Sequence, residues 1–395
     1  MARSKLCGQL LYASWCVLGA LAIVGATEAV LRAIGLPAER RAAGSASAWM
    51  DAETLALWEG FARRHGIEVE DIDDLRGWRW NGTLRWALRP DLEIDATNLF
   101  AGPAAGDAAT WTLATNSRGY RTPEFTNAAA PDRLRVVTVG DSNTMGWLLD
   151  GDQAYPRRLE AHLADALGAP VEVINLGVGG YTSFSCVKTL FRVALPLEPD
   201  ALVISCGAND PQRLATSDEA YAARFGGPLG ALRFRLGQLR LVTALRGLAP
   251  DEEVTREPRV TPSGSARNVR GMFEANEARG LPLVFLEVCL DPLYATSLAR
   301  TAARHEVPVV DAYAEARRIL LAEPEPSRYR AALADVRRRF PPERLSREPE
   351  LHYLFSDGCH LNALGADVAG AALARELAPR VRRPSRGANG PRRSG

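Results

Sequence analysis

From residue 133 onward, short unbroken apolar runs alternate with stretches in which apolar residues recur every three or four positions. The runs are LRVVTV (134–139), VEVIN (171–175), ALVISC (201–206), LPLVFLEV (281–288) and VPVV (307–310). A strand with one wet face would alternate polar and apolar, so unbroken runs predict strands buried on both faces. Between them YPRRLEAHLADAL, SCVKTLFRVAL and ARNVRGMFEANEARG read as helices, and LGADVAGAALARELA closes the pattern near Pro379. Strand and helix in repetition predict an α/β domain over 133–378, a parallel sheet with helices on both faces. Residues 211–262 interrupt the rhythm and read as an insertion, with RFRLGQLRLVTALRGL as a helix inside it.

Upstream the pattern changes. Leu6 to Thr27 is 22 residues without a charge, long enough as a helix to span a hydrocarbon core of about 30 Å. Arg3 and Lys5 precede it, which by the positive-inside bias places the rest of the chain outside the cytoplasm, although Arg32, Arg40 and Arg41 on the far side oppose this. Val24-Gly25-Ala26 could serve a peptidase, but the apolar run exceeds a signal core and EAVLRAIGL prolongs it. The expectation is an uncleaved N-terminal membrane anchor over 1–37, with a buried soluble helix as the alternative. Residues 38–132 form a small accessory region holding six of the eight tryptophans, with a helix near 50–66 and short strands at WRWNGTLRWAL and ATWTLAT. The tryptophans read first as core packing and second as a platform for sugar rings. The basic tail, 379–395, is expected to be disordered.

Composition narrows the function. Forty-eight basic residues face 47 acidic ones, which removes any electrostatic case for nucleic acid. Lys5 and Lys188 are the only lysines, so a catalytic lysine is not expected. No two of the six cysteines have the Cys-x-x-Cys spacing of a zinc site. Cys186, Cys206, Cys289 and Cys359 read as buried free thiols, with disulfides left open by the spacing. No cofactor and no metal are expected.

In an open parallel sheet the chemistry belongs at the C-terminal ends of the strands. Those ends carry Gly140-Asp141-Ser142-Asn143, Asn175-Leu176-Gly177-Val178-Gly179-Gly180 and Gly207-Ala208-Asn209-Asp210, and Asp357-Gly358-Cys359-His360-Leu361-Asn362 precedes the last helix. Together they supply a nucleophile, oxyanion donors and an Asp-His pair. The set resembles the SGNH hydrolases, also called the GDSL family, over about residues 133–378. Its four signature residues would be Ser142, Gly180, Asn209 and His360, in the family's order. Leu361 departs from the proline that frequently follows the histidine, and NSRGYR resembles a segment seen before the first block in exported members, at Asn116, Gly119 and Arg121. The resemblance implies a three-layer, flavodoxin-like α/β/α fold and acyl-ester chemistry.

The residues suit that chemistry on their own terms. A serine hydroxyl needs a base within reach, and histidine is the side chain whose ordinary pKa lies near neutrality. Asp357, three residues before His360, would orient the ring, and the backbone amides of Ser142 and Gly180 with the side-chain amide of Asn209 would receive the oxyanion. His352 is the one rival base; His65, His162 and His305 fall away from the strand ends. Asp141 reads as structural at its turn, and Asp210 as a cap for the segment after Asn209. A metal site built from Asp141, Asp210, Asp357 and His360 lacks any clustered spacing. The leading expectation is a membrane-anchored, outward-facing serine esterase acting on a small-molecule ester or acylated glycan, acetyl esters included. The alternatives are an O-acyltransferase of an exported polysaccharide or envelope glycan, and a noncatalytic glycan-binding protein.

Overall fold

The computed structural model describes residues 2–33, 50, 52–99, 109–237, 239, 241, 255–322 and 358–381. Five parallel strands form its central sheet: β1 (Leu134–Gly140), β2 (Val171–Asn175), β3 (Ala201–Ser205), β4 (Leu283–Glu287) and β5 (Val309–Asp311). They lie in the order β5-β4-β3-β1-β2, the flavodoxin-like arrangement in which the chain leaves β1 first to one side and then to the other.

The unbroken apolar runs have a direct structural cause. Val136, Val173, Val203 and Val284 point to one face of the sheet, where α3 (Tyr155–Leu167) and α8 (Ala363–Leu377) pack. Their neighbours Val137, Ile174, Leu202 and Phe285 point to the other face, covered by α4 (Ser183–Thr189), α5 (Pro262–Glu277) and α6 (Pro292–Arg304). Both parities of each strand must therefore be apolar, and each buried Val, Leu or Phe contributes about 1.5–3 kcal/mol. A shorter helix, α7 (Ala312–Ala322), follows β5.

A third core joins the accessory region to the strand-end loops. Trp78, Trp86, Leu88, Trp111 and Leu113 pack with Met145, Trp147, Val178 and Tyr181. The accessory elements are α2 (Ala52–His65) and two antiparallel hairpins, Trp78–Asn81 with Arg85–Leu88 and Glu93–Thr97 with Thr110–Ala114. Trp78, Trp86 and Trp111 are buried and pack in this core. In the insertion, Arg213–Leu214 pairs with Glu257–Pro258, and helices Asp218–Phe225 and Gly230–Gly237 follow the first of these strands. The remainder of the expected insertion helix and the basic tail beyond residue 381 lie outside the described residues.

Two expectations need correction. Ala2–Ala33 is one helix, α1, but no helix among the described residues is long and apolar enough to cross a membrane, so the span expected at Leu6–Thr27 is not found. The helix carries Glu28, whose carboxylate accepts from the Leu241 N–H at 3.2 Å. The cysteines also divide differently. Cys289 and Cys359 form a disulfide, because the end of β4 and the loop before α8 bring their Cα atoms to 5.1 Å. Cys186 and Cys206 are buried free thiols as expected.

Candidate active site

The GDSN segment turns sharply at the end of β1. A Cβ on Gly140 would lie 2.4 Å from Ser205 O on β3, so only glycine lets the two strand ends approach. Asp141 caps the short helix Ser142–Met145, its Oδ1 accepting from Asn143 N at 3.0 Å. Burial pushes the Asp141 carboxyl up to about 6. Ser142 thus opens a helix and lines a pocket.

His360 meets it from the other end of the chain. Ser142 Oγ and His360 Nε2 are 2.8 Å apart. Three attachments hold the histidine loop: Leu361 N donates to Asn143 Oδ1 at 3.0 Å, the Tyr313 hydroxyl donates to Gly358 O at 2.8 Å, and Cys359 is bonded to Cys289. Trp147 packs its edge against the imidazole, with ring centroids 4.6 Å apart. Cys359, expected as a free thiol, is instead a tether for this loop. Asp357 and the rival His352 lie outside the described residues. His162 and His305 pair elsewhere, with Asp367 at 2.9 Å and Glu277 at 3.2 Å, and His65 ends α2.

Gly180 and Asn209 line the same pocket as Ser142 and His360. This pocket is walled by Leu57, Trp58 and Phe61 of α2, by Trp78 and Trp86 of the first hairpin, and by Trp147. It combines an apolar wall with a few convergent polar groups, as small-molecule sites do. Asp210 does not cap its own segment: its carboxylate accepts from Ser183 N at 2.8 Å and Ser183 Oγ at 2.6 Å, fixing the start of α4. Among the described residues no three His, Cys, Asp or Glu side chains are placed to hold a metal ion.

A family model described as GDSL-like lipase/acylhydrolase matches residues 138–368. The chain belongs to this family. It is an SGNH-type serine hydrolase acting on ester bonds. Among solved structures, the lipase/acylhydrolase from Enterococcus faecalis is similar over 63% of this chain and 98% of its own, at 18% identity and a TM-score of 0.38. A putative GDSL-like lipase from Parabacteroides merdae covers 62% of this chain and 95% of its own, at 12% identity and 0.38. A putative lipolytic protein of the G-D-S-L family from Desulfitobacterium hafniense covers 62% and 99%, at 13% identity and 0.34. No curated protein matches the chain.

Two residues of this GDSL-type site, both inside segments quoted from the sequence, have roles that only the coordinates reveal. The guanidinium of Arg121, in NSRGYR, donates to Met145 O at 3.1 Å, Gly146 O at 2.6 Å and Leu149 O at 2.8 Å, gathering the carbonyls that end the Ser142 helix. Burial lowers its pKa to about 10. Asn175 Nδ2 donates to Thr144 O at 2.8 Å from the end of β2. Arginine and asparagine are common in loops, so neither residue type marks these roles without coordinates.

Asp74, in the turn Asp73–Gly77, lies buried near the indoles of Trp78 and Trp147. Burial, with Asp73 beside it, pushes its carboxyl up to about 7 against the pull of those indoles. The folded state therefore holds this proton where the unfolded chain, at an ordinary 3.8, has released it. Its contribution to stability is complete below about pH 4 and is lost as pH rises towards 7. Burial also raises Asp141 and Asp210 to about 6, and they act with the same sign. Asp74→Asn should flatten the decline, so that its melting temperature relative to wild type is higher at pH 8 than at pH 4.5. Parallel melting curves for the two proteins across that range would refute the assignment.

Proposed function

We propose that the protein cleaves acyl esters of small molecules or acylated glycans through an acyl-enzyme on Ser142. The observation that carries this reading is the 2.8 Å contact between Ser142 Oγ and His360 Nε2, inside a pocket that Gly180 and Asn209 also line. His360 takes the hydroxyl proton as Oγ attacks the carbonyl carbon, and the amides of Ser142, Gly180 and Asn209 receive the developing oxyanion. Collapse breaks the ester bond, and the leaving alcohol takes the proton back from His360. Water repeats the sequence to free the acid. Asp357 would hold the second ring nitrogen. The apolar wall favours the acyl group as the part that enters the pocket.

A fluorophosphonate probe should label Ser142, and the wild type should hydrolyse nitrophenyl esters. Testing acetyl against octanoyl esters, beside acetylated sugars, then sets the acyl length. Faster release of the acyl group to a sugar hydroxyl than to water would identify the transferase.

The domain is proposed to work outside the cytoplasm. The Cys289–Cys359 disulfide supports this, because such bonds persist in an oxidising compartment. In the native host, spheroplasts treated with protease should lose the domain, and alkylation before reduction should spare Cys289 and Cys359. A domain protected from protease, with both thiols alkylated, would place it inside.

A further inference from the structure

We infer that Arg259, from the insertion, is the positioning residue of the oxyanion hole and acts on two of its donors at once. The inference rests on the assignment of Gly180 and Asn209 above. Arg259 is 1% exposed. Its Nη1 donates to Gly180 O at 2.8 Å and to Gln212 Oε1 at 2.9 Å. Gln212 Nε2 in turn donates to Asn209 Oδ1 at 2.8 Å.

Each contact fixes a direction. With its oxygen engaged by Gln212, the Asn209 amide must turn its nitrogen the opposite way; one N–H goes to Tyr181 O at 3.1 Å, and the second is available to the pocket. The Gly180 N–H is oriented from both sides of the residue. Trp86 Nε1 donates to Gly179 O at 2.8 Å. Because that peptide is planar and trans, holding its oxygen aims the Gly180 N–H in the opposite direction. Arg259 secures the next carbonyl along. Gly180 has φ +70°, and a Cβ there would lie 2.6 Å from the Trp86 ring, so no side chain is tolerated at this point.

Arg259 is itself immobilised. Its Nε and Nη2 reach the two oxygens of Asp218 at 3.1 and 3.0 Å, a two-point ion pair. Arg85 of the accessory hairpin donates to the same carboxylate at 2.7 Å, and Thr182 Oγ1 does so at 2.7 Å. Burial alone would raise Asp218, yet Arg259 and then Arg85 hold it below the ordinary carboxylate value. Preorganised donors need no rearrangement as the oxyanion forms, and this buried lattice supplies the rigidity.

The test compares kcat, KM and the affinity for a trifluoromethyl ketone in wild type, Gln212→Met, Arg259→Lys and Leu75→Ala. The serine-bound ketone, a hemiketal, carries an oxyanion where the tetrahedral intermediate would. Leu75 is buried in the accessory core and outside the pocket lining, so it measures destabilisation without repositioning. Removing one oxyanion donor costs about 100- to 1,000-fold. Loosening one through Gln212→Met should lower kcat by about tenfold, with KM within twofold and ketone affinity falling in step. Arg259→Lys, which loosens two, should lower both by about 100-fold. Should Arg259→Lys fail to fold, Gln212→Met decides alone. Unchanged kcat and ketone affinity in Gln212→Met, or equal losses in Leu75→Ala, would overturn the inference. A wild type that hydrolyses no ester would instead overturn the reading of the site.

Discussion

Ser142→Ala is expected to remove ester hydrolysis, with kcat falling on the order of a million-fold, as for loss of the nucleophile in serine hydrolases generally. The substitution deletes one oxygen, the atom 2.8 Å from His360 Nε2. No other described serine stands at that position, and the helix Ser142–Met145 keeps its Asp141 cap because that bond goes to the Asn143 backbone. Stability should change by about 1 kcal/mol or less, the usual worth of one hydrogen bond in a partly open site. Circular dichroism and melting temperature should match wild type while fluorophosphonate labelling disappears. Labelling of another residue with Ser142 unmodified would refute the nucleophile assignment.

His360→Ala should be as damaging, and its combination with Ser142→Ala no worse than either change alone. Two residues that share one proton transfer fail together, so their effects do not add. Additive losses would mean that His360 acts on some other step, such as binding. The variant tests position as well as chemistry, because the loop is held by Asn143, Tyr313 and Cys289 independently of the imidazole. Loss of the ring should therefore leave its backbone in place. If His360→Ala retains full turnover, the histidine is misassigned.

Much of this architecture could be read from the chain. VEVIN matches β2 residue for residue, and the runs at 134, 201 and 281 fall within one or two positions of β1, β3 and β4, because burial on both faces leaves an unbroken apolar signature. VPVV begins two residues before the edge strand, Val309–Asp311, and stops one short of its end. The convergence of Ser142, Gly180, Asn209 and His360 on one pocket was legible because each follows a strand end or precedes a helix with a distinctive neighbour. The lattice behind them was not. Gln212, Asp218 and Arg259 lie in a stretch with weak periodicity, and their partners Arg85 and Trp86 are far away in sequence. The disulfide was equally hidden, since 70 residues separate Cys289 from Cys359 and spacing at that distance carries no pairing information.

The Arg85–Asp218–Arg259 cluster also bears on how such a protein can diverge. Losing one member of a buried charge group leaves the others uncompensated, at about 3–5 kcal/mol, whereas exchanging the whole group for apolar residues can be neutral. Asp218 is shared by arginines from two separate stretches of chain. A lineage that altered one stretch alone would pass through a poorly stable ancestor. These three positions are expected to be inherited as a block, replaced together or retained together, and the accessory hairpin and the insertion would descend as a single unit despite the 133 residues between Arg85 and Asp218.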